Sequence, residues 1–184
     1  MKNVKVLKVG ENSYELVIND DVEVIEWEKT ERGRIINELE ELRGKLKVKG
    51  GKNLKTTEFL LYECIFDEVD LSEFVSDNVE KMEGMFFHSQ IGKVVMPKNG
   101  LGSDKLRTTQ HMFCGSEIGE IDLSKMNMGA VENICCMFVK FRTNVLDLRN
   151  WDLKNVKHSL MFLCDYKIKE VLLGDSVKSL KMSV

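Results

Sequence analysis

Cysteine and histidine are the side chains best suited to hold a metal or attack an electrophile, and several of them sit close together in this chain: His111, Cys114, Cys135 and Cys136. A structural zinc site wants four such ligands, usually with paired cysteines two residues apart, so that the metal closes a small loop. No CxxC pair is present, and adjacent cysteines rarely both reach one tetrahedral metal. No metal site is therefore expected. A Cys–His nucleophile would also need an oxyanion hole and a third group to orient the base, and nothing in the sequence indicates either. The glycine-rich run Gly100-Leu101-Gly102-Ser103-Asp104-Lys105 lacks the spacing of a phosphate-binding loop. Carboxylates are plentiful, but none forms a pairing that nominates an acid and a base. The chain is read as non-enzymatic and without a cofactor. A metal-dependent protein or enzyme built on the His111/Cys136 region stands as the alternative of a different class.

Composition narrows the field further. The chain has 184 residues, 31% of them charged and 43% hydrophobic, with one proline and a formal net charge of -3. Such a chain buries a full core without staples, unlike a disordered one. Mild acidity argues against direct nucleic-acid binding, which needs clustered Lys and Arg. Lysines interrupt the apolar residues of Met1-Lys2-Asn3-Val4-Lys5-Val6-Leu7-Lys8, so no secretory signal is visible, and no stretch has transmembrane length. The five cysteines are then expected as reduced thiols in a protein of the cytoplasm, that of a bacterium or of a host cell, with no membrane partner. The oligomeric state is not legible.

The elements that would position any site emerge from an internal repeat. Met-Phe pairs recur at Met85-Phe86, Met112-Phe113, Met137-Phe138 and Met161-Phe162, roughly every 25 residues. Short apolar strands centred on Leu71, Met96, Leu123, Leu148 and Leu173 keep step with them, as do Val79, Leu106, Val131 and Val156 between the two. One period earlier lie Leu46, Leu54 and Leu60, the markers of a degenerate first unit. Three markers in register predict about five strand-turn-helix units over residues 45–184. Their helical face would carry Val79, Met82, Met85 and Phe86 at i, i+3, i+6 and i+7. Stacked units would share a linear core between a parallel sheet and a row of helices, an α/β fold of leucine-rich-repeat-like solenoid type.

Residues 1–44 break the period. Val4–Val9 and Tyr14–Ile18, joined through Gly10-Glu11-Asn12-Ser13, read as a hairpin, with a third strand over Val22–Trp27. A helix is expected from Thr30 as N-cap, through Ile35, Ile36, Leu39 and Leu42, to a stop at Gly44. The first repeat would otherwise expose its apolar side, so this segment serves as an N-terminal cap.

The unit Val145-Leu146-Asp147-Leu148-Arg149-Asn150-Trp151-Asp152-Leu153, followed by Val156 and Met161-Phe162, resembles the BspA-type leucine-rich repeat of bacterial surface proteins. The units beginning Val69-Asp70-Leu71-Ser72 and Ile121-Asp122-Leu123-Ser124 share that likeness, and the unit at Met96, with Pro97 and two extra residues, is looser. The resemblance covers roughly residues 45–180. It implies a repeat scaffold used for recognition, and in the family itself that use is adhesion at the cell surface; a surface adhesin is accordingly kept as an alternative. So small a repeat protein also suits a phage or mobile-element inhibitor that occupies a host enzyme or defence complex.

Strand alternation says where a protein partner would dock. If Val69 and Leu71 point inward, Glu68, Asp70 and Ser72 point to the open side of the sheet. The matching residues include Lys93, Glu120, Asp122, Asp147 and Arg149, with Lys45 and Lys47 in the first unit, and they make a mostly acidic stripe with one basic end. These nine charged residues are the candidate partner-binding set. A structural role competes for the aspartates, whose carboxylates can accept backbone N–H groups in the turn that follows. The Met-Phe pairs read as core, while Phe87, Phe141 and Tyr166 are candidates for exposed contacts.

Overall fold

The computed structural model describes residues 4–25 and 38–180. They form one eight-stranded sheet whose strands lie side by side in chain order: β1 (Val4–Gly10), β2 (Ser13–Ile18), β3 (Lys45–Gly50), β4 (Ile65–Phe74), β5 (Gln90–Val95), β6 (Glu117–Ile121), β7 (Arg142–Leu148) and β8 (Lys167–Leu173). β1 and β2 are the expected antiparallel hairpin, and every later pairing is parallel. This is the repeat solenoid read from the sequence. The hairpin joins it directly, because β2 pairs with β3 from Ser13↔Lys45 to Ile18↔Gly50.

The second leg of each unit departs from expectation: it is not helical. Val79, Met82, Met85 and Phe86 are all fully buried, as the pattern required, but they sit on consecutive tight turns. The hydrogen bonds explain why. The N–H groups of Met82, Gly84, Phe86 and His88 donate to the carbonyls of Thr108, Gln110, Met112 and Cys114 in the next unit, at 2.9–3.0 Å, while Phe87 and Ser89 close turns on Gly84 and Phe86. An α-helix would spend all of these donors within itself. Two left-handed residues per unit, four apart, also forbid it: Phe59 and Glu63, Gly84 and His88, His111 and Gly115, Cys136 and Lys140, Met161 and Asp165 all have φ between 51° and 69°. Eight of the ten carry side chains, in a conformation costing about 1–2 kcal/mol each, so the stack must hold them there. A row of single parallel bridges, Thr56↔Lys81↔Thr108↔Asn133↔His158, marks where this leg begins.

Between the two legs runs the core. Phe86, Phe113 and Phe138 stack almost flat, 5.3 and 5.4 Å apart at 9° and 5°, and Phe162 closes the row edge-on at 5.4 Å. Phe141, expected as an exposed contact, is fully buried. In neighbouring units its place is taken by Ser89 and Ser116, whose hydroxyls bond the carbonyls of Phe86 and Phe113, and its larger ring fills the space against Phe113 and Phe138. Trp151 is buried too, donating its indole N–H to the Leu123 carbonyl at 2.9 Å.

At the N-terminus, residues 38–41 are helical and Gly44 follows at φ 102°, where a Cβ would lie 2.3 Å from the Asn12 carbonyl oxygen. The start of the expected helix, from Thr30 to 37, lies outside the described residues. The third strand is absent over residues 22–25, where Val22 and Ile25 instead bury their side chains from an irregular segment; residues 26 and 27 are outside the described ones. A short helix, Asp175–Lys178, follows β8 with Val177 buried.

Candidate interaction surface

Each unit carries an outward row on the sheet, and the register sets its charges against one another. Lys45 pairs with Glu68, which pairs with Lys93, which pairs with Glu120. Signs alternate along that row. Lys45 and Glu68 approach to 3.7 Å, and Lys93 and Glu120 to 3.8 Å. One row over, Lys47 lies 3.4 Å from Asp70 and 2.6 Å from Glu73, and Lys49 bridges Glu15 at 2.6 Å. What reads in sequence as an acidic stripe is a ladder of opposite charges, the arrangement that neighbouring strands favour by a few tenths of a kcal/mol up to about one per pair.

The aspartates serve their own corners as well. Asp70, Asp122 and Asp147 accept the backbone N–H groups of Ser72, Ser124 and Arg149 at 2.8, 2.9 and 3.1 Å. Arg149 also returns its guanidinium to Asp147 at 3.0 and 2.7 Å. The guanidinium and backbone N–H of Arg149 hold the Asp147 carboxyl below its ordinary value; the Asp70 carboxyl, despite partial burial, is lowered by its bonds to Ser72 and Lys47. All nine sequence candidates thus have partners within the protein.

The sheet face has a feature that simple alternation hides. Between two inward residues, each unit turns two consecutive residues outward: Asp67 and Glu68, Gly92 and Lys93, Gly119 and Glu120, Asn144 and Val145, Lys169 and Glu170. The first member of each couple was missed in the sequence, because a strict period of two places it inside. Gly92 and Gly119 are required there: a Cβ on Gly119 would lie 2.6 Å from the Gly92 carbonyl oxygen. Gly119, without a side chain, lies in the floor of a groove of about 490 Å³ over β6 to β8, walled by Glu117, Arg142, Asn144, Lys167 and Lys169. Asn144 reaches across it to the Gly119 carbonyl at 3.0 Å, and Arg142 faces Glu117 at 3.5 Å. Lys167 and Lys169 are exposed and have no ion-pair partner among the described residues.

The turn face is different in kind. His111 and Cys136, the nucleus of the alternative metal or catalytic reading, occupy equivalent left-handed positions in adjacent units, which accounts for their shared place just before a Met. Among the described residues no three His, Cys, Asp or Glu side chains are arranged to hold a metal. Burial pushes the Cys114 and Cys136 thiols up, and Cys64, fully buried, is pushed up to about 12. These positions disfavour the thiolate that nucleophile and metal ligand both need. Cys135, Cys136, Val139, Leu160, Met161 and Cys164 form a half-exposed apolar lane at the C-terminal end of this face. At its N-terminal end Phe59, Tyr62, Phe87 and His88 form an aromatic group. Of the expected contact residues, Phe87 is half-buried in this group and Tyr166 is exposed beside β8. No described helix is long and apolar enough to cross a membrane.

Residues 62–170 match the family described as Mycoplasma protein of unknown function, DUF285, which is related to BspA-like repeat proteins. That match covers more than half of the chain, and the chain belongs to this family. No curated protein and no solved structure matches it.

Proposed function

We propose that this member of the DUF285 family is a non-enzymatic protein-binding repeat module that acts through the open sheet face and the turns beside it. The observation that supports this reading is the groove over β6 to β8. It is a concave stretch of sheet about 490 Å³ in volume, and no described element covers it. Elsewhere on the face cations and carboxylates neutralise each other, whereas here Lys167 and Lys169 have no carboxylate partner among the described residues, next to the Arg142–Glu117 pair. An extended protein segment with acidic side chains fits such a floor: backbone in the gap left by Gly119, carboxylates on the two lysines. Glu120, Asp122, Asp147 and Arg149 lie farther along the strands of the groove, and Lys45, Lys47, Glu68, Asp70 and Lys93 on β3 to β5, where they continue the polar face away from it.

A photo-crosslinking residue in place of Asn144, in the protein expressed in its native cell, tests the reading. A discrete adduct with one protein is expected, and the double change Lys167→Glu and Lys169→Glu should reduce it at least tenfold. No adduct, or an adduct indifferent to the charge reversal, would overturn it.

A further inference from the structure

One contact in the groove breaks the rule that the rest of the sheet obeys. Wherever the register sets two charged side chains against each other they are opposite in sign, from Glu15 and Lys47 on β2 and β3 to Glu117 and Arg142 on β6 and β7. Arg142 and Lys167, on β7 and β8, are the one like-charged couple among the described residues. Like charges directly opposite each other weaken a strand pair, so this couple lacks an anion that every other cation of the register has.

The cations are placed to share one anion. Arg142 and Lys167 stand on adjacent strands about 4.8 Å apart, and Lys169 lines the same groove two residues farther along β8, about 6.6 Å away. All three side chains are exposed, and long side chains on so small a triangle converge on a single ligand atom group. Arg142 has donors to spare. A guanidinium offers five N–H groups, and its approach to Glu117, at 3.5 Å, is long for a charge-assisted bond, which usually measures about 2.7–2.9 Å.

The charge balance says which anion. Three cations against the carboxylate of Glu117 leave a surplus of two positive charges. A carboxylate would cancel half of that, whereas a phosphate monoester carries about −1.5 to −2 at neutral pH and three acceptor oxygens. Glu120 and Glu170, the outward residues that follow Gly119 and Lys169, are exposed just beyond the triangle. They oppose a second phosphate, so an isolated dianion suits the site and a nucleic-acid backbone does not.

We propose that the acidic group selected by this groove is a phosphoryl dianion, a phosphoserine or phosphothreonine on an extended segment of the partner protein, held by Arg142, Lys167 and Lys169. The assignment rests on the reading of the groove as the site of an acidic segment and names the chemistry of that segment.

The test uses the full chain and four probes: a capped glycine-alanine peptide with one central phosphoserine, the same peptide with glutamate or with unmodified serine there, and an oligothymidylate. Calorimetry should show the phosphopeptide binding at least tenfold more tightly than the glutamate peptide, and no binding of the other two. Arg142→Gln should remove that preference, and Lys167→Glu with Lys169→Glu should remove binding, whereas Lys98→Glu, at an exposed corner outside the groove, should change neither. Affinity for the phosphopeptide should also fall severalfold between about pH 7.5 and about pH 5, as the phosphate passes its second pKa of about 6. Equal binding of the phosphopeptide and the glutamate peptide overturns the phosphoryl assignment and leaves the acidic-segment reading standing, as does binding of neither while the Asn144 adduct still forms. Binding of neither together with no adduct removes both. Preference for the oligothymidylate, or an affinity indifferent to Arg142→Gln or to pH, overturns the assignment as well.

Discussion

The two long faces of this solenoid are made by the same repeat and solve opposite problems. On the sheet face, outward side chains are charged, and the register brings Lys45, Glu68, Lys93 and Glu120 into alternation, so the charge is largely spent within the fold. On the turn face, side chains are aromatic, sulfur-bearing or aliphatic, and they stay partly exposed because the backbone beneath is consumed by bonds to the next unit. Charge that is conspicuous in a sequence is therefore a poor guide to charge available for binding. What remains after neighbouring strands have paired is, among the described residues, Lys167 and Lys169 on one face, and on the other the partly exposed rings of Tyr62 and Phe87.

Thiol labelling should give the sharpest contrast. Cys64, with its pKa near 12 against an ordinary 9.0, holds about a thousandfold less thiolate than a free thiol. It should resist alkylation in the folded protein while Cys164 on the turn face reacts. Rapid labelling of Cys64 would mean that the turn leg opens readily. Next in size is the spine between the faces: Phe113→Ala should cost about 3–5 kcal/mol in chemical denaturation, because a stacked ring is lost from the middle of a one-dimensional array. A cost under 1 kcal/mol would show that neighbouring units collapse independently. Gly119→Ala should cost about 1–3 kcal/mol, since its Cβ would press on a backbone oxygen 2.6 Å away. Gly129→Ala, whose nearest neighbours are 3.6 Å away, should stay within about 0.5 kcal/mol. Equal costs for the two would remove the reason given for the groove.

The smallest effect separates the faces by pH. Asp70 and Asp147 have lowered pKa values in the fold, so their contribution is fully present above the ordinary 3.8 and is lost as pH falls through the lowered folded value. The melting temperature should therefore decline in acid below about pH 4, and Asp147→Asn should flatten part of that decline. Lys47 is raised by Glu73 and Asp70, so at the alkaline end its share is present below the ordinary lysine value of 10.5 and is lost as pH rises through the higher folded value, while in acid it goes with the protonation of those carboxylates. An Asp147→Asn variant with an unchanged acid profile would break the link between the sheet-face ladder and stability.

How much of this was legible follows from which signals are redundant. The repeat was, because Leu71, Val79 and Met85 and their counterparts recur together, and three apolar markers cannot share a period by accident. The hairpin at Gly10-Glu11-Asn12-Ser13 was legible for the same local reason. The turn leg was misread as helix because inward positions at i, i+3, i+6 and i+7 satisfy either a helix or two linked turns. The left-handed residues that decide between them, Phe59, His88 and Cys136 among them, are types with no preference for that conformation. The groove was hidden by the paired outward residues, which break a period of two at positions of no common type: Asp67, Gly92, Gly119, Asn144 and Lys169. The pairing of candidate charges was invisible because it depends on register between strands far apart in sequence.

The bonds that run from each turn to the next also govern how such a chain can change its length. A unit lends alternate donors forward and receives its neighbour's from behind, so a cut anywhere inside a period orphans a whole row, whereas removal of one complete period rejoins equivalent edges. Insertions and losses in this architecture should come in whole turns, and the two extra residues after Met96 are accommodated because they bulge at Gly100 and Gly102, outside both ladders. The molecule is in this sense written in words rather than letters.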